Sequence, residues 1–372
     1  MPISSTFVTA RPALAAFAAM GVVWGCFAAV LPDTKLMLGV DEATLGLLLL
    51  AAPVAAVTAM LFAPRTGVLL GRFALPLTAL AMGLVLPLPG QVAGLVGALW
   101  LFALGMAACG ATTGTLDVLM NARVAALENV RGQHLMNLCH AAYSLGYAGS
   151  AMATGAARAA GWSPAMVLAA AGLVAALMAL ATYERDGRIE GLARPRGGFA
   201  DGLGRLPLIG GAVVLIAFMS ENAAENWSAL HIEKTLGGSA AEGSMGPAVL
   251  ALTMGLARLA GQGLITRISA TRLLTGGAIL AAIGAVIVAA AINPAMAYGG
   301  FVTMGIGASV IAPTAFSLVG RMAAPEARAR AVARATLLGY FGYFFGPPTL
   351  GFVAGAFGLR AAFGFAALML LA

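Results

Sequence analysis

Hydrophobic residues form long runs along almost the whole chain, and short polar stretches separate these runs. A helix needs about 20 mostly apolar residues to cross the hydrocarbon core of a bilayer, and twelve runs approach or reach that length. They lie at 12–32, 43–63, 73–90, 93–121, 134–157, 164–183, 206–231, 245–265, 273–292, 295–320, 331–356 and 358–372. The pattern therefore predicts an all-α membrane protein with twelve transmembrane helices.

One long hydrophilic stretch divides these runs into two sets of six. Residues 184–205 read ERDGRIEGLARPRGGFADGLGR, and this charged, glycine-rich composition is typical of a linker. We therefore expect an N-terminal six-helix bundle at 1–183, a cytoplasmic linker at 184–205 and a C-terminal six-helix bundle at 206–372.

The two halves repeat with an offset of 200 residues and no gap. Apolar segments match by chance quite often, so the charged and aromatic coincidences carry more weight. They include Glu42 with Glu242, Arg72 with Arg272, and Tyr143 with Tyr343. A repeat of six helices predicts two pseudo-symmetric bundles related by an axis along the membrane normal.

Composition excludes a soluble globular protein. Only 9% of the residues are charged and 61% are hydrophobic, whereas soluble domains carry roughly a quarter charged residues. The net charge of +7 could indicate nucleic-acid binding, but the basic residues are scattered over short loops and form no stripe or recognition motif. Most of them lie on the side that holds the N-terminus, which predicts cytoplasmic N- and C-termini.

Five segments carry a resemblance to a known family. They are DVLMNARVAALE at 117–128, MNLCHAAYSLG at 136–146, ENWSALHIEKTLG at 225–237, GLARLAGQGL at 255–264 and LLGYFGYFFGPPTLG at 337–351. Through them the chain resembles the major facilitator superfamily over its whole length, and most closely a little-characterised bacterial inner-membrane branch. The resemblance implies a multi-pass secondary transporter of the bacterial cytoplasmic membrane, in which the first and seventh helices line a central cavity.

A polar stripe interrupts the seventh apolar run. The stripe comprises Glu221, Asn222, Glu225 and Asn226. Glu221 lies about 22 Å from the start of the helix at a rise of 1.5 Å per residue, near or just past mid-depth. Residues four apart share a helix face, and charges at that depth usually face a bundle interior or a wet cavity. Repulsion and burial both disfavour two ionised carboxylates, so we expect one glutamate to exchange a proton and couple transport to it.

Arg258 and Gln262 lie one turn apart in the eighth run. Arg258 could grip a carboxylate or phosphate group of a substrate in bidentate fashion. Alternatively, it could be an internal counter-ion that neutralises the glutamates in a static network. The sequence predicts Arg258 as the only basic residue inside a span.

A second polar group is expected near the cytoplasmic side. Asp117 and Asn121 close the fourth run, and Asn137 and His140 share a face at the start of the fifth. An Asp117–His140 pair could relay protons because histidine titrates near physiological pH. We favour the alternative, a structural hydrogen bond that closes an inner gate.

Aromatic side chains form a third set of candidates, which could contact an organic solute or serve in packing. They are Trp24, Trp227, Tyr143, Tyr340 and Tyr343. Several polar residues are expected instead in outer loops or at the outer edge, where we assign them no role. They are Asp33, Lys35, Arg158, His231, Glu233 and Lys234.

The leading interpretation is a proton-coupled secondary active transporter that moves a small organic solute by alternating access. The alternatives are a multidrug or metabolite efflux antiporter, and a transport-fold protein that acts as a receptor or assembly factor. An ATP-driven pump or an enzyme is not expected, because the sequence has no nucleotide-binding loop and its three histidines lack metal-ligand spacing. We expect a monomer in the lipid bilayer, with a small-molecule substrate, no nucleic acid, no metal and no cofactor besides the coupling proton.

Overall fold

The regular structure of the chain is helical. The computed structural model describes residues 3–131, 135–189, 192, 205–260, 268–323 and 328–372, and within these residues it contains thirteen α-helices joined by short turns. Eight helical stretches of the described residues are long and apolar enough to cross a membrane. The count of twelve spans stays a prediction.

The first compact unit comprises Met1–Val40 and Leu48–Arg194. A short helix, α2 (Glu42–Leu49), precedes the second long helix of this half and begins outside the unit. The other helices of the first half are α1 (Ile3–Leu38), α3 (Ala51–Leu70), α4 (Ala74–Val85), α5 (Ala98–Arg131), α6 (Met136–Ala159) and α7 (Pro164–Ala179).

The second compact unit comprises Asp41–Leu47 and Pro195–Ala372. Its long helices are α8 (Leu206–Leu230), α9 (Ala240–Ala260), α10 (Ala270–Ala290), α11 (Pro294–Met322), α12 (Arg328–Phe357) and α13 (Leu359–Leu371). Residues 41–47 join this unit through an ion pair of 2.8 Å between Lys234 Nζ and Glu42 Oε1. The linker at 184–205 stays a prediction, since residues 190, 191 and 193–204 lie outside the described part.

Equivalent pairs of helices pack together in the two units. In the first unit α1 packs with α6, α3 with α5, and α4 with α7. In the second unit the corresponding pairs are α8 with α12, α9 with α11, and α10 with α13. Each pair of the second unit lies about 200 residues after its counterpart, so the sequence repeat is also a repeat of packing.

Two predicted runs are broken by proline. The run at 43–63 divides at Leu50 into α2 and α3, because the ring of Pro53 clashes with the carbonyl group four residues earlier, that of Leu49. The run at 73–90 ends as an α-helix at Val85 and continues as a 3₁₀ turn over Leu88–Val92. Pro87 and Pro89 lack the N–H groups that an α-helix would need there.

Helix α5 continues well beyond the predicted end at residue 121 and reaches Arg131. Its last ten residues include Arg123 and Glu128, which are too polar for a membrane span but are good helix formers. Glu128 Oε1 accepts a hydrogen bond of 2.9 Å from the backbone N–H of Met136, the first residue of α6. Hydropathy therefore located the span and not the end of the helix.

Candidate functional site

Helix α8 carries the polar stripe in the second unit. The Glu221 side chain is 13% exposed, Glu225 and Asn226 are half-buried, and Asn222 is buried. The four positions follow the i, i+4 spacing, so the two carboxylates lie on one face of the helix, one turn apart. The predicted stripe is therefore held inside the unit in a single regular helix.

Arg258 of α9 lies beside this stripe. Its Nη2 atom is 3.8 Å from Glu221 Oε1, which is an ion pair but too long for a good hydrogen bond. Arg258 is also within electrostatic range of Glu225. The structure thus brings one guanidinium to two carboxylates, while the predicted partner Gln262 lies outside the described residues.

Asn222 is fixed by the close approach of α8 and α12. A Cβ atom at Gly346 would lie 2.9 Å from Asn222 Oδ1, so only glycine leaves room for this side chain. The backbone oxygen of Asn222 accepts a hydrogen bond of 3.2 Å from Asn226 Nδ2. Its own Oδ1 is buried without a hydrogen-bond partner among the described residues, which leaves an acceptor free beside the acidic pair.

An aromatic cluster lies next to the stripe. The Phe218 ring stacks on that of Tyr343 with centroids 4.6 Å apart and meets the Tyr340 ring at 6.0 Å. Phe218 lies three residues before Glu221, hence on a neighbouring part of the same helix face. The two predicted tyrosines therefore lie near the helix face that carries the acidic pair. The sequence analysis missed Phe218, although its position three residues before Glu221 could have indicated that it shares this face.

Trp227 and His231 are core residues. Trp227 is fully buried and packs against Gly351, where a Cβ atom would meet its ring at 3.2 Å, so the structure favours the packing alternative. His231 is buried within the unit, and its predicted position at the outer edge of the membrane stays a prediction. Helix α8 continues as a π-helical turn over His231–Thr235, and His231 Nε2 lies 3.1 Å from the backbone oxygen of Val288.

The π-helical turn shows that Glu233 and Lys234 are helical and not in a loop, while their position on the outer face stays a prediction. Asp33 and Lys35 are likewise helical, since α1 continues to Leu38 and contains both. Polar residues at a helix end resemble a loop in a hydropathy pattern, although their backbone is helical.

Two further aromatic candidates lie in the first unit. The Trp24 ring meets that of Phe27 at 6.0 Å, and the Tyr143 ring meets that of Tyr147 at 6.0 Å. Trp24 and Tyr143 are half-buried. Because Trp24 and Tyr143 belong to the first unit, their relation to the acidic pair of the second unit stays a prediction.

The predicted Asp117–His140 pair also belongs to the first unit. Asn121 Nδ2 donates to Asp117 Oδ1 at 3.1 Å, and the His140 ring packs edge-on against Phe17 at 5.0 Å. Asn137 is exposed. Because α5 runs to Arg131, Asp117 and Asn121 lie inside the helix rather than at its end, and the relay or gate stays a prediction.

Several known proteins are similar to this chain in sequence. The family model of the Major Facilitator Superfamily matches residues 209–372. An uncharacterised MFS-type transporter of Yersinia pestis is 32% identical to this chain over 359 residues, which cover 96% of this chain and 91% of that protein. The membrane protein MosC of Rhizobium meliloti is 25% identical, over 92% of this chain and 83% of its own length.

The chain belongs to the major facilitator superfamily.

Solved structures show the same fold. The nucleoside transporter NupG superposes with a TM-score of 0.79 at 12% identity, over 98% of this chain and 97% of its own. A D-xylose–proton symporter superposes with a TM-score of 0.70 at 14% identity, over 99% and 96%. The predicted major facilitator fold is thus confirmed, and this superfamily member is a multi-pass membrane transporter rather than an enzyme.

The sequence analysis missed one buried ion pair in this transporter. Arg158 lies in the last turn of α6 and its side chain is 1% exposed, so this base is buried although the sequence analysis assigned it no role. The prediction of Arg258 as the only basic residue inside a span stays a prediction. Arg158 donates from Nε and Nη2 to the two carboxylate oxygens of Asp33, at 2.7 and 2.6 Å, and from Nη1 to the oxygen of Ala29 at 2.9 Å. The sequence could have indicated this pair, because Asp33 follows the run at 12–32, Arg158 follows the run at 134–157, and both positions are expected on the outer side.

Proposed function

We propose that this protein is a proton-coupled secondary transporter that moves a small organic solute across the bacterial cytoplasmic membrane by alternating access. The observation that carries the proposal is the placement of Glu221 and Glu225, one turn apart, beside the single guanidinium of Arg258. We further propose that the transporter is a monomer with both termini in the cytoplasm.

The charge count of this cluster supports a proton site. With all three side chains ionised, Glu221, Glu225 and Arg258 carry one surplus negative charge in an apolar helix bundle, where an uncompensated charge costs several kcal/mol. A bound proton or a cationic group of a substrate removes that surplus. The carboxylate that Arg258 does not neutralise can therefore take up and release a proton as access alternates.

The surroundings of the acidic pair favour a polar organic solute. Phe218, Tyr340 and Tyr343 provide π faces that attract organic rings and cations, and the carboxylates of Glu221 and Glu225 can accept hydrogen bonds from hydroxyl or amine groups. The solved neighbours include a nucleoside transporter and a D-xylose–proton symporter, whose solutes are polar and rich in hydroxyl groups.

The test is solute-driven proton movement in proteoliposomes that contain a pH-sensitive dye. Uridine, D-xylose and the cation tetraphenylphosphonium are suitable probes for the nucleoside, sugar and cationic classes. Wild type is compared with Glu221→Gln, Glu225→Gln and the control Glu242→Gln, an exposed acid at the start of α9. Glutamine at position 242 can still cap that helix.

We expect at least one of the two α8 variants to lose proton movement while the control keeps it. Full proton movement in both α8 variants would show that neither glutamate couples transport. If none of the three probes causes proton movement, further solute classes are screened before the variants are compared.

A second candidate function is efflux of cationic amphipathic compounds in exchange for protons. The position of Phe218 on the same helix face as the two acids favours it, because rings beside carboxylates suit organic cations. The sign of the pH change separates the two functions. Solute entry acidifies the lumen in symport and makes it alkaline in antiport.

A further inference from the structure

A basic pocket lies at one end of the first unit, outside the acidic cluster. It has a volume of about 740 Å³, and its polar walls come from four arginines and one aspartate. These residues are Arg72, Arg123, Arg185, Arg188 and Asp186. The charged walls thus carry a strong positive excess, which favours an anionic ligand.

Three chain segments that meet at this end of the bundle build the pocket. The turn Gly71–Phe73 joins α3 to α4 and supplies Arg72, the last part of α5 supplies Arg123, and the segment after α7 supplies the other arginines. Arg123 is held in place by Glu184, whose Oε2 accepts from its Nε at 3.0 Å and from its Nη2 at 2.8 Å. Arg72, Arg185 and Arg188 line the pocket and are exposed.

An apolar groove adjoins the pocket. It has a volume of about 350 Å³, and its walls come from α4 and from the end of α7, including Leu77 and Leu180. Leu77 is 44% exposed and Leu180 is 74% exposed. Phe73 and its stacking partner Tyr183, whose rings are 5.9 Å apart, line this groove, and Phe73 also lines the basic pocket.

We propose that the two cavities together bind one anionic phospholipid, with the phosphate headgroup among the arginines and an acyl chain along the α4–α7 groove. A phosphate group matches guanidinium donors in charge and geometry. A small free anion would contact only the basic pocket, whereas a lipid has a charged end for the pocket and an apolar end for the α4–α7 groove. Phe73 lines both cavities, and this adjacency of a basic and an apolar site is the observation that selects a lipid.

Lipid selectivity tests this proposal on the unmodified protein. The purified full chain in detergent is titrated with short-chain phosphatidylglycerol, with phosphatidylcholine of equal chain length, and with inorganic phosphate, and thermal unfolding reports binding. We expect phosphatidylglycerol to raise the unfolding temperature most, and high salt to reduce its effect by screening. Equal stabilisation by the two lipids, or equal stabilisation by phosphate alone, would overturn the proposal.

Charge variants test the headgroup site. We expect Arg72→Gln and Arg188→Gln each to weaken phosphatidylglycerol binding about fivefold, and together roughly 25-fold, as is typical of arginines that attract anionic lipid. The matched control is Arg272→Gln, because Arg272 is the repeat counterpart of Arg72 and is exposed outside the pocket. Unchanged binding in the double variant, or an equal loss in the control, would overturn the headgroup assignment.

A groove variant tests the acyl site. Leu77→Asn places an amide on the groove wall, whereas Leu84→Asn places it on another exposed part of α4, where Leu84 is 62% exposed and lies outside the groove. We expect Leu77→Asn to weaken phosphatidylglycerol binding more than Leu84→Asn, with phosphate binding unchanged in both. Equal effects of the two variants would show that the groove holds no acyl chain.

Discussion

The buried pair of Asp33 and Arg158 allows a sharp test of how charge stabilises the first unit. The two side chains have unequal access to solvent, since Arg158 is 1% exposed and Asp33 is 30% exposed. We therefore expect the replacement Asp33→Ala to destabilise the protein more than Arg158→Met, although both remove the same ion pair. The difference arises because each variant leaves a different charge without its partner.

The size of each loss in stability depends on which charge is left without its partner. Asp33→Ala leaves a buried guanidinium that still donates to the oxygen of Ala29 but has lost its carboxylate, and breaking a buried pair in this way costs about 3–5 kcal/mol. Arg158→Met leaves a carboxylate that water can reach, so we expect a loss of about 1–3 kcal/mol. The double variant removes both charges and is expected to be more stable than Asp33→Ala alone.

The assay is the free energy of unfolding in mixed detergent micelles, followed by circular dichroism for wild type, both single variants and the double variant. Arg360→Met is the matched control, because Arg360 donates to the backbone oxygen of Ala289 at 3.0 Å but is exposed. We expect the control to change stability by less than about 0.5 kcal/mol. Equal losses in the two single variants, or a double variant less stable than Asp33→Ala, would refute the reasoning.

Three further predictions concern the second unit. Arg258→Gln leaves two acids without their counter-ion and should lower the unfolding temperature. Adding Glu221→Gln should restore part of that loss, and a thermal-shift assay of the single and double variants would check both effects. Gly346→Ala should lower the free energy of unfolding in detergent by about 1–3 kcal/mol, because the added methyl group overpacks against Asn222. The control Gly364→Ala should change it little, because nothing lies within 4 Å of a Cβ at that position. Ser239→Ala should lower the free energy of unfolding by about 1 kcal/mol. The reason is that the side chains of Ser239 and Glu242 each accept a hydrogen bond from the other residue's backbone N–H at the start of α9. A Ser239→Asp variant of normal stability would confirm the capping role.

The sequence alone predicted the membrane class, the repeat of two halves and the acidic stripe. These features are local or periodic: a span needs contiguous apolar residues, and the spacing of Glu221 and Glu225 places both carboxylates on one face in any α-helix. The helix ends were less accurate, as in α5, because hydropathy reports the solvent around a segment and not its backbone hydrogen bonds.

Tertiary structure decided which charges meet and which side chains are buried. Asp33 and Arg158 are 125 residues apart, and their contact depends on α1 and α6 being neighbours. The same is true of Arg258 beside Glu221, of the ring of Phe218 against Tyr343, and of the arginines that gather around Gly71–Phe73. Helix packing selects these pairs, because the energy of each contact depends on distance and burial, which only the folded chain defines.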